Sequence, residues 1–562
     1  MERWDLVVRG GEVVEGTGMP ARRADVGIRQ GRITALGDVA GPAAREIDAT
    51  GCVVAPGFID IHTHYDAQVL WDRMLSISPW HGVTTALMGN CGFGIAPTRA
   101  EHRDLILRTL ENVEGMSLDA LRAGIGPEWP FCSFGEYLDT IERRGTAIHV
   151  GALVGHTPVR TFVLGDAAVE REATADEVVE MRALVAEALD AGALGFATSR
   201  APTHIGYAGN PVPSRIGSPE EVAALAGALR GRPQGVFQVT IGGDLWIDKL
   251  AAIQREIGRP VTWTALLGGM LGPTGHRDIL QQTAALQAEG VRVHPQVTGR
   301  PLMLEFQLSA PFPLSMLPVM KDVFAADLEG RRQLYGDPAF RARLRHEVDT
   351  VFGLFSFEQM WISHAPGHDA LLERRVPEVA AERGVHRVDV VLDLALATGL
   401  EARFRMAVLN TDESIVAELL RDPSAVLGLS DAGAHASQLC DAGAATHLLG
   451  HWVRERGVLT LEEAVRRLTS EPAELLGLTE RGRLAPGLAA DLVVFDPATV
   501  GCGPLRRVHD LPGGADRLVA DALGMRAVVV EGTPIRLEGR DVVSPDAPLP
   551  GRVLRAQPGR RG

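Results

Sequence analysis

Two histidines stand two residues apart in the run Pro56-Gly-Phe-Ile-Asp-Ile-His62-Thr-His64. Successive side chains of a strand point to opposite faces, so His62 and His64 share one. Two imidazoles side by side on an inward face make half of a zinc site. A bare pair of this kind can also be core histidines satisfied by hydrogen bonds; the apolar strand that leads into it favours the metal. A second segment, Gly89-Asn-Cys91-Gly-Phe-Gly, follows a strand pattern over residues 83–89. That puts Cys91 at a strand's C-terminal end, where barrel enzymes carry their chemistry. A thiolate is a good zinc ligand, and the glycines let the backbone approach closely. The competing reading is a small buried hydrophobe. The third segment is Gly428-Leu-Ser430-Asp431-Ala-Gly-Ala-His435. A carboxylate closing a last strand can touch a metal and accept a proton from attacking water, although an Asp there also suits a helix N-cap.

Positioning these groups requires strands whose ends converge. Short apolar runs alternate with helical segments through the middle of the chain, the pattern of parallel βα units. Strand candidates fall at 57–63, 83–89, 148–155, 193–199, 235–240, 260–266, 291–297 and 425–430. Eight such strands fit a closed (β/α)₈, TIM-like barrel in the α/β class. Thr174-Ala-Asp-Glu177 reads as a capping box ahead of a long helix. The gap between strands seven and eight exceeds what a crossover needs, so an insertion at about 300–410 is expected over the barrel mouth, with a strand-like run at 355–363. Its Phe306, Phe312, Met316 and Met320 read either as an apolar lid or as the insertion's own packing.

Both chain ends are β-like runs punctuated by glycine, and neither alone could bury two faces of a sheet. They are expected to pair into one small β-sandwich. The division is 1–55 (first part of the sandwich), 56–480 (barrel), 481–545 (second part) and a tail at 546–562. The tail's Arg552, Arg555, Arg560 and Arg561 read as a frayed end. Apolar residues make up 46% of 562 and charged residues 23%, ordinary for a globular chain with a large core. A net charge of −15 argues against nucleic acid or an anionic membrane as the main partner; the hydrolytic reading of the three segments above expects a small-molecule substrate instead. No secretory leader or membrane-length apolar run is visible. Five scattered cysteines, Cys52, Cys91, Cys132, Cys440 and Cys502, are no disulfide framework, so a cytoplasmic location is expected.

With these segments in view, the chain resembles the amidohydrolase superfamily and, within it, the N-acyl-D-amino-acid deacylase (D-aminoacylase) group. The resemblance spans nearly the whole chain. It rests on Gly57-Phe-Ile-Asp-Ile-His-Thr-His-Tyr-Asp66, Gly82-Val-Thr-Thr, Gly89-Asn-Cys-Gly, Leu429-Ser-Asp-Ala and Gly482-Arg-Leu-Ala-Pro-Gly-Leu-Ala-Ala-Asp-Leu-Val-Val-Phe. The resemblance implies zinc, a barrel with a β-sandwich, and hydrolysis of a carbon–nitrogen bond other than a peptide bond. In that group a strand-two cysteine stands where other amidohydrolases use a carboxylated lysine from strand four, and residues 193–200 contain no lysine.

The group normally supplies one histidine at the end of strand five and one at the end of strand six. Here Gln238, Thr240, Trp263 and Thr264 occupy those regions. Gln and Thr are poor zinc ligands beside imidazole. One Zn²⁺ per chain on His62, His64, Cys91 and Asp431 is therefore expected, with Asp431 as the catalytic base, and the second metal is in doubt. His156, His204, His364 and His435 are candidate substrate or supporting groups near the mouth. The group's basic residue after the strand-eight Asp is missing, so Arg160 or Arg200 is expected to hold a substrate carboxylate. Deacylation of a linear N-acyl-D-amino acid is the leading reading. Hydrolysis of a cyclic amide, imide or lactone, in the manner of hydantoinases and dihydropyrimidinases, is the first alternative. A metal-free assembly protein built on the same barrel is the second. The resemblance also allows a homo-oligomer.

Overall fold

The computed structural model describes residues 3–557, apart from 312, 313, 315, 316, 351–356, 437–440 and the side chain of 208. Eight short strands form one parallel sheet: β1 (Phe58–Asp60), β2 (Val83–Met88), β3 (His149–Gly155), β4 (Gly195–Ser199), β5 (Val236–Thr240), β6 (Val261–Thr264), β7 (Val293–Val297) and β8 (Val426–Leu427). They neighbour one another in sequence order from β1 to β8. All eight expected strands are present, shortened by one to four residues. Just beyond the outer strands, Thr63 and Ala432 form a further parallel bridge. Residues of β2 to β5 are buried on both faces, which is why their sequences hold no Asp, Glu, Lys or Arg and do not alternate apolar with polar. The Thr174–Glu177 capping box forms as expected and starts the helix Ala175–Asp190.

A second, nine-stranded sheet draws on both ends of the chain. Its junction is the strand Val53–Pro56, parallel to Trp4–Val13 on one side and antiparallel to Leu492–Phe495 on the other. Leu6, Val8, Val26, Ile28, Leu492, Val494 and Val529 share one buried cluster, so neither end could bury its apolar face without the other. Gly501–Val508 and Arg517–Leu523 form a separate antiparallel hairpin.

The long segment between β7 and β8 carries its own three-stranded antiparallel sheet, Leu302–Gln307, Arg403–Leu409 and Met360–His364, with Arg403–Leu409 central. The third strand covers the end of the run expected at 355–363; residues 355 and 356 lie outside the described residues. Helices of the insertion pack on this sheet around a core of its own. Phe306 and Met320 are buried in that core, so for them the packing alternative holds and the lid does not. Phe312 and Met316 lie outside the described residues.

The tail departs from expectation. Val553 forms a parallel bridge with Val150, the amides of Val150 and Leu554 bond Arg552 O and Val150 O at 3.0 and 2.7 Å, and Val553 and Ala556 are buried. Arg555 pairs with Asp139 and Glu142 at 2.6 and 2.8 Å. Residues 551–557 are thus docked along β3, because two small apolar side chains find a seat and the arginine between them finds acids. Arg560 and Arg561 lie outside the described residues. Among the described residues no helix is long and apolar enough to cross a membrane.

Candidate functional site

His62 and His64 follow β1 directly. The amide of Thr63 donates to Leu87 O (3.0 Å) on one side, and that of His64 donates to Ala432 O (2.8 Å) on the other. The segment is pinned between its two neighbours, and both imidazoles face the same interior. Cys91 sits in a tight turn after β2. Gly89, Cys91 and Gly92 all have left-handed backbones, with φ of 85°, 57° and 71°. A Cβ on Gly89 would lie 2.2 Å from Leu153 O, and one on Gly92 2.7 Å from the Thr198 Cα, so only glycine fits at either place. Asp66 accepts a hydrogen bond from the Gly89 amide at 3.0 Å and holds the start of the turn. Asp431 also has a left-handed backbone (φ 44°), as do Leu429 and His435. Such clustering of uncommon backbone angles accompanies functional sites.

These elements bring the four expected residues together. Cys91 Sγ lies 3.4 Å from His62 Nε2 and 4.0 Å from His64 Nε2. Asp431 Oδ1 lies 3.3 and 3.7 Å from the same two nitrogens. The donor atoms of His62, His64 and Cys91 all fall within 4.8 Å of one another. Each imidazole has its outer nitrogen engaged: His62 Nδ1 is 2.7 Å from Gln296 Oε1, and His64 Nδ1 is 3.1 Å from Glu114 Oε1, a close ionic contact without hydrogen-bond alignment. Outer partners of this kind leave the inner nitrogens to coordinate. The donor chemistry fits a zinc-type ion.

The four groups set one another's ionisation. Burial alone would raise the Cys91 thiol, but the His62 imidazole, with hydrogen bonds from both histidines, brings it down to about 7. Burial likewise opposes ionisation of Asp431, yet the His64 hydrogen bond and the charges of His62 and His64 hold it well below the usual carboxylate range. His64 is raised well above an ordinary imidazole, since Glu114, Asp431 and Cys91 outweigh its desolvation. Acids and bases whose ionisation is pushed this far apart are typical of sites built for chemistry.

The cluster opens onto a cavity of about 230 Å³ whose lining includes the apolar Phe93, Val113, Leu267 and Leu302 and the polar Arg300, Asp441, His204 and His435. His204 and His435 therefore lie where expected. Burial, together with the charges of His435 and His64, drives His204 down to about 3, and its Nδ1 is 2.6 Å from Ser199 Oγ. The other candidates lie elsewhere. His156 is fully buried between Thr198 Oγ1 (2.9 Å) and Glu221 Oε1 (2.7 Å) and does not line the cavity. Arg160 is buried against Glu221 and Ala168 O. Arg200 is taken up by Asp244 and by the carbonyls of Ser214 and Gly217. Both arginines are neutralised inside the protein, which corrects the expectation that one of them meets a substrate carboxylate. His364 is exposed at the end of the insertion strand, away from the cavity. The sequence points to none of Glu114, Gln296, Arg300 and Asp441, and to Gln238 only as a poor metal ligand at the end of strand five. Arg300 stands just past β7, a strand-end position that could have flagged it; Glu114 lies within an ordinary helix, Arg103–Glu114, and carries no such signal.

A parallel eight-stranded α/β sheet with nitrogen, sulfur and oxygen donors converging at its C-terminal edge defines the class of hydrolases that use a metal held at strand ends. The chain belongs to the amidohydrolase family, whose model matches residues 45–536. It is 30% identical to a D-aminoacylase of Alcaligenes xylosoxydans xylosoxydans over 95% of this chain and 94% of that one. It is 31% identical to an N-acyl-D-glutamate deacylase of the same organism, over 99% and 97% of the two chains. Among solved structures, it matches an N-acyl-D-glutamate deacylase from Bordetella bronchiseptica complexed with zinc and a phosphonate inhibitor that mimics the tetrahedral intermediate. There the TM-score is 0.66 at 26% identity, covering 99% of this chain and 100% of that one.

Proposed function

We propose that this protein is a zinc-dependent amidohydrolase that cleaves a linear amide, most specifically the acyl group of an N-acyl-D-amino acid. The observation that carries the reading is the convergence of His62, His64, Cys91 and Asp431 in the lining of one cavity. Full-length similarity to two deacylases supports the substrate class. The parallel sheet is read as a (β/α)₈ barrel over 56–480 with its insertion, and the two-ended sheet as a small β domain formed by 1–55 and 481–545.

His62, His64 and Cys91 would hold one Zn²⁺, which when bound supplies a Lewis acid for the carbonyl and acidifies nearby water. Asp431 is the donor whose side chain remains partly open, at 22% exposure against 1% and 5% for the two histidines. Its carboxylate receives the proton of the water that attacks the carbonyl carbon and passes it to the departing nitrogen. The neighbouring His62 and His64 keep it ionised in the resting state, so its oxygens are unprotonated when the water attacks. The apolar residues of the lining, Phe93, Val113, Leu267 and Leu302, suit an apolar acyl chain.

The test joins metal analysis to a substrate panel. Purified protein should carry about one zinc per chain, and His62→Ala combined with His64→Ala should lose it. N-acyl-D-amino acids should be hydrolysed faster than their L-enantiomers, hydantoins or lactones. Active protein without metal would sink the mechanism; a cyclic substrate turned over far faster than every linear amide would sink the deacylase assignment.

A further inference from the structure

Strand β6 places two threonines, Thr262 and Thr264, two residues apart on its inward face, and each meets a glutamine from a neighbouring strand. Gln238 of β5 lies opposite Thr262 in the register, yet its Nε2 reaches across to donate to Thr264 Oγ1 at 2.8 Å. Its Oε1 accepts the backbone amide of Cys91 at 2.7 Å. A backbone N–H can only donate, so this contact fixes which end of the Gln238 amide is oxygen and which is nitrogen. Gln296 of β7 repeats the device: Nε2 donates to Thr262 Oγ1 at 3.2 Å while Oε1 stands 2.7 Å from His62 Nδ1. Gln238, Gln296, Thr262 and Thr264 are all buried, so bulk water does not compete for these bonds.

We propose that Gln238 and Gln296 are positioning residues for the metal centre, each braced on a β6 threonine, one holding Cys91 and the other holding His62. The inference rests on the zinc reading above. Gln296, with its nitrogen spent on Thr262, turns its oxygen to His62 and requires Nδ1 to carry the proton. The lone pair of that imidazole is then at Nε2, the atom that faces Cys91 and Asp431. Gln238 acts on the backbone instead. Cys91 has a left-handed φ of 57°, a conformation a non-glycine residue keeps only when its surroundings enforce it. The Gln238 carbonyl, gripping the Cys91 amide, supplies that constraint and aims Sγ at the two imidazoles. The same bonds explain why β5 and β6 end without metal ligands: Gln238 commits its oxygen to Cys91 and its nitrogen to Thr264, so these strand ends serve as a brace for one ion.

The experiment uses the full-length protein and four variants that keep or remove a single oxygen. Thr262→Val and Thr264→Val preserve side-chain size and lose the hydroxyl; Thr262→Ser and Thr264→Ser keep it. Zinc affinity is measured by competition with a chelator, and the thiolate-to-metal absorption band is recorded after replacement by cobalt. Each valine variant should bind zinc more weakly, by up to the roughly 10–100-fold that follows outright loss of a ligand's outer partner, because the glutamine stays but loses its brace. Each serine variant should bind like wild type. Only Thr264→Val should shift or weaken the cobalt–thiolate band, because only the Gln238 arm ends on the cysteine. If a valine variant does not fold, alanine at that position removes the same oxygen without adding a methyl group and is read in the same way. Wild-type zinc affinity in both oxygen-deleted variants, or an equal loss in the serine variants, overturns the inference and leaves the zinc reading standing. Wild-type protein that binds no zinc overturns both.

Discussion

Asp431 differs from the two histidines in how open it is. All four donors line the cavity, but the Asp431 side chain is 22% exposed against 1% and 5% for His62 and His64. Asp431→Asn keeps the shape and one oxygen donor, so zinc should stay bound while turnover falls by about 10²–10⁴, the usual worth of a general acid–base group. Metal content measured beside activity checks this, and full activity with zinc bound would reduce Asp431 to a structural residue. Cys91→Ser should behave otherwise. A hydroxyl is a far weaker zinc ligand than a thiolate, so metal and turnover should drop together. At this scale the sequence made the four donors legible because strand periodicity and strand-end position are local properties. Glu114 and Gln296 were not legible, since their importance comes from distant chain segments that fold back onto His64 and His62. Arg160 and Arg200 show the converse: a cation near a strand end looks available until Glu221 and Asp244 are brought against it.

Among the elements, the turn after β2 is the most constrained. Gly89 has a φ of 85° and packs its Cα against the β3 backbone, where a Cβ would meet Leu153 O at 2.2 Å. Gly89→Ala must therefore displace main chain rather than a flexible side chain, at a cost of about 2 kcal/mol or more. The urea midpoint should fall accordingly, and zinc affinity should fall with it because Cys91 rides on the same turn. An unchanged midpoint would mean that the turn relaxes freely and that the glycine is incidental. The eight strands were readable from short apolar runs bounded by glycine. β8 was the hardest to bound: it pairs through only two residues, Val426 and Leu427, and the rest of the expected 425–430 run is loop shaped by the left-handed Leu429 and Asp431. The insertion was readable as extra length, but its sheet was not, since antiparallel pairing of residues about a hundred positions apart leaves no local pattern.

Across the whole molecule, the parallel sheet, the two-ended sheet and the tail meet at one buried charge cluster, and the tail's role there escaped a reading that saw only a short basic terminus. Removing residues 551–562 should strip Val553 and Ala556 from their seat on β3 and cost about 2 kcal/mol from lost burial, visible as a lower thermal midpoint with zinc affinity intact. Asp491 links the two sheets there, and the tail's Arg552 amide donates to Nδ1 of its partner His149 at 3.2 Å. Asp491 Oδ1 is 3.1 Å from His149 Nε2 of β3 and accepts the Glu531 amide at 2.9 Å, while Oδ2 meets the Arg481 guanidinium. Burial would raise this carboxyl, but His149 and Arg481 prevail and bring it down from 3.8 to about 2. A carboxyl whose folded pKa lies below its unfolded one stabilises the fold above the unfolded value and loses that contribution as pH falls through the folded value. The contribution of Asp491, about 2 kcal/mol by this shift, should be complete above about pH 4 and disappear as pH approaches about 2. Asp491→Asn should accordingly lower the urea midpoint at neutral pH and make the decline between pH 4 and pH 2 shallower than in wild type. Parallel curves for the two proteins across that interval would show that Asp491 does not change its proton affinity on folding, and that the junction is held by packing and the backbone bond at Glu531 rather than by its charge.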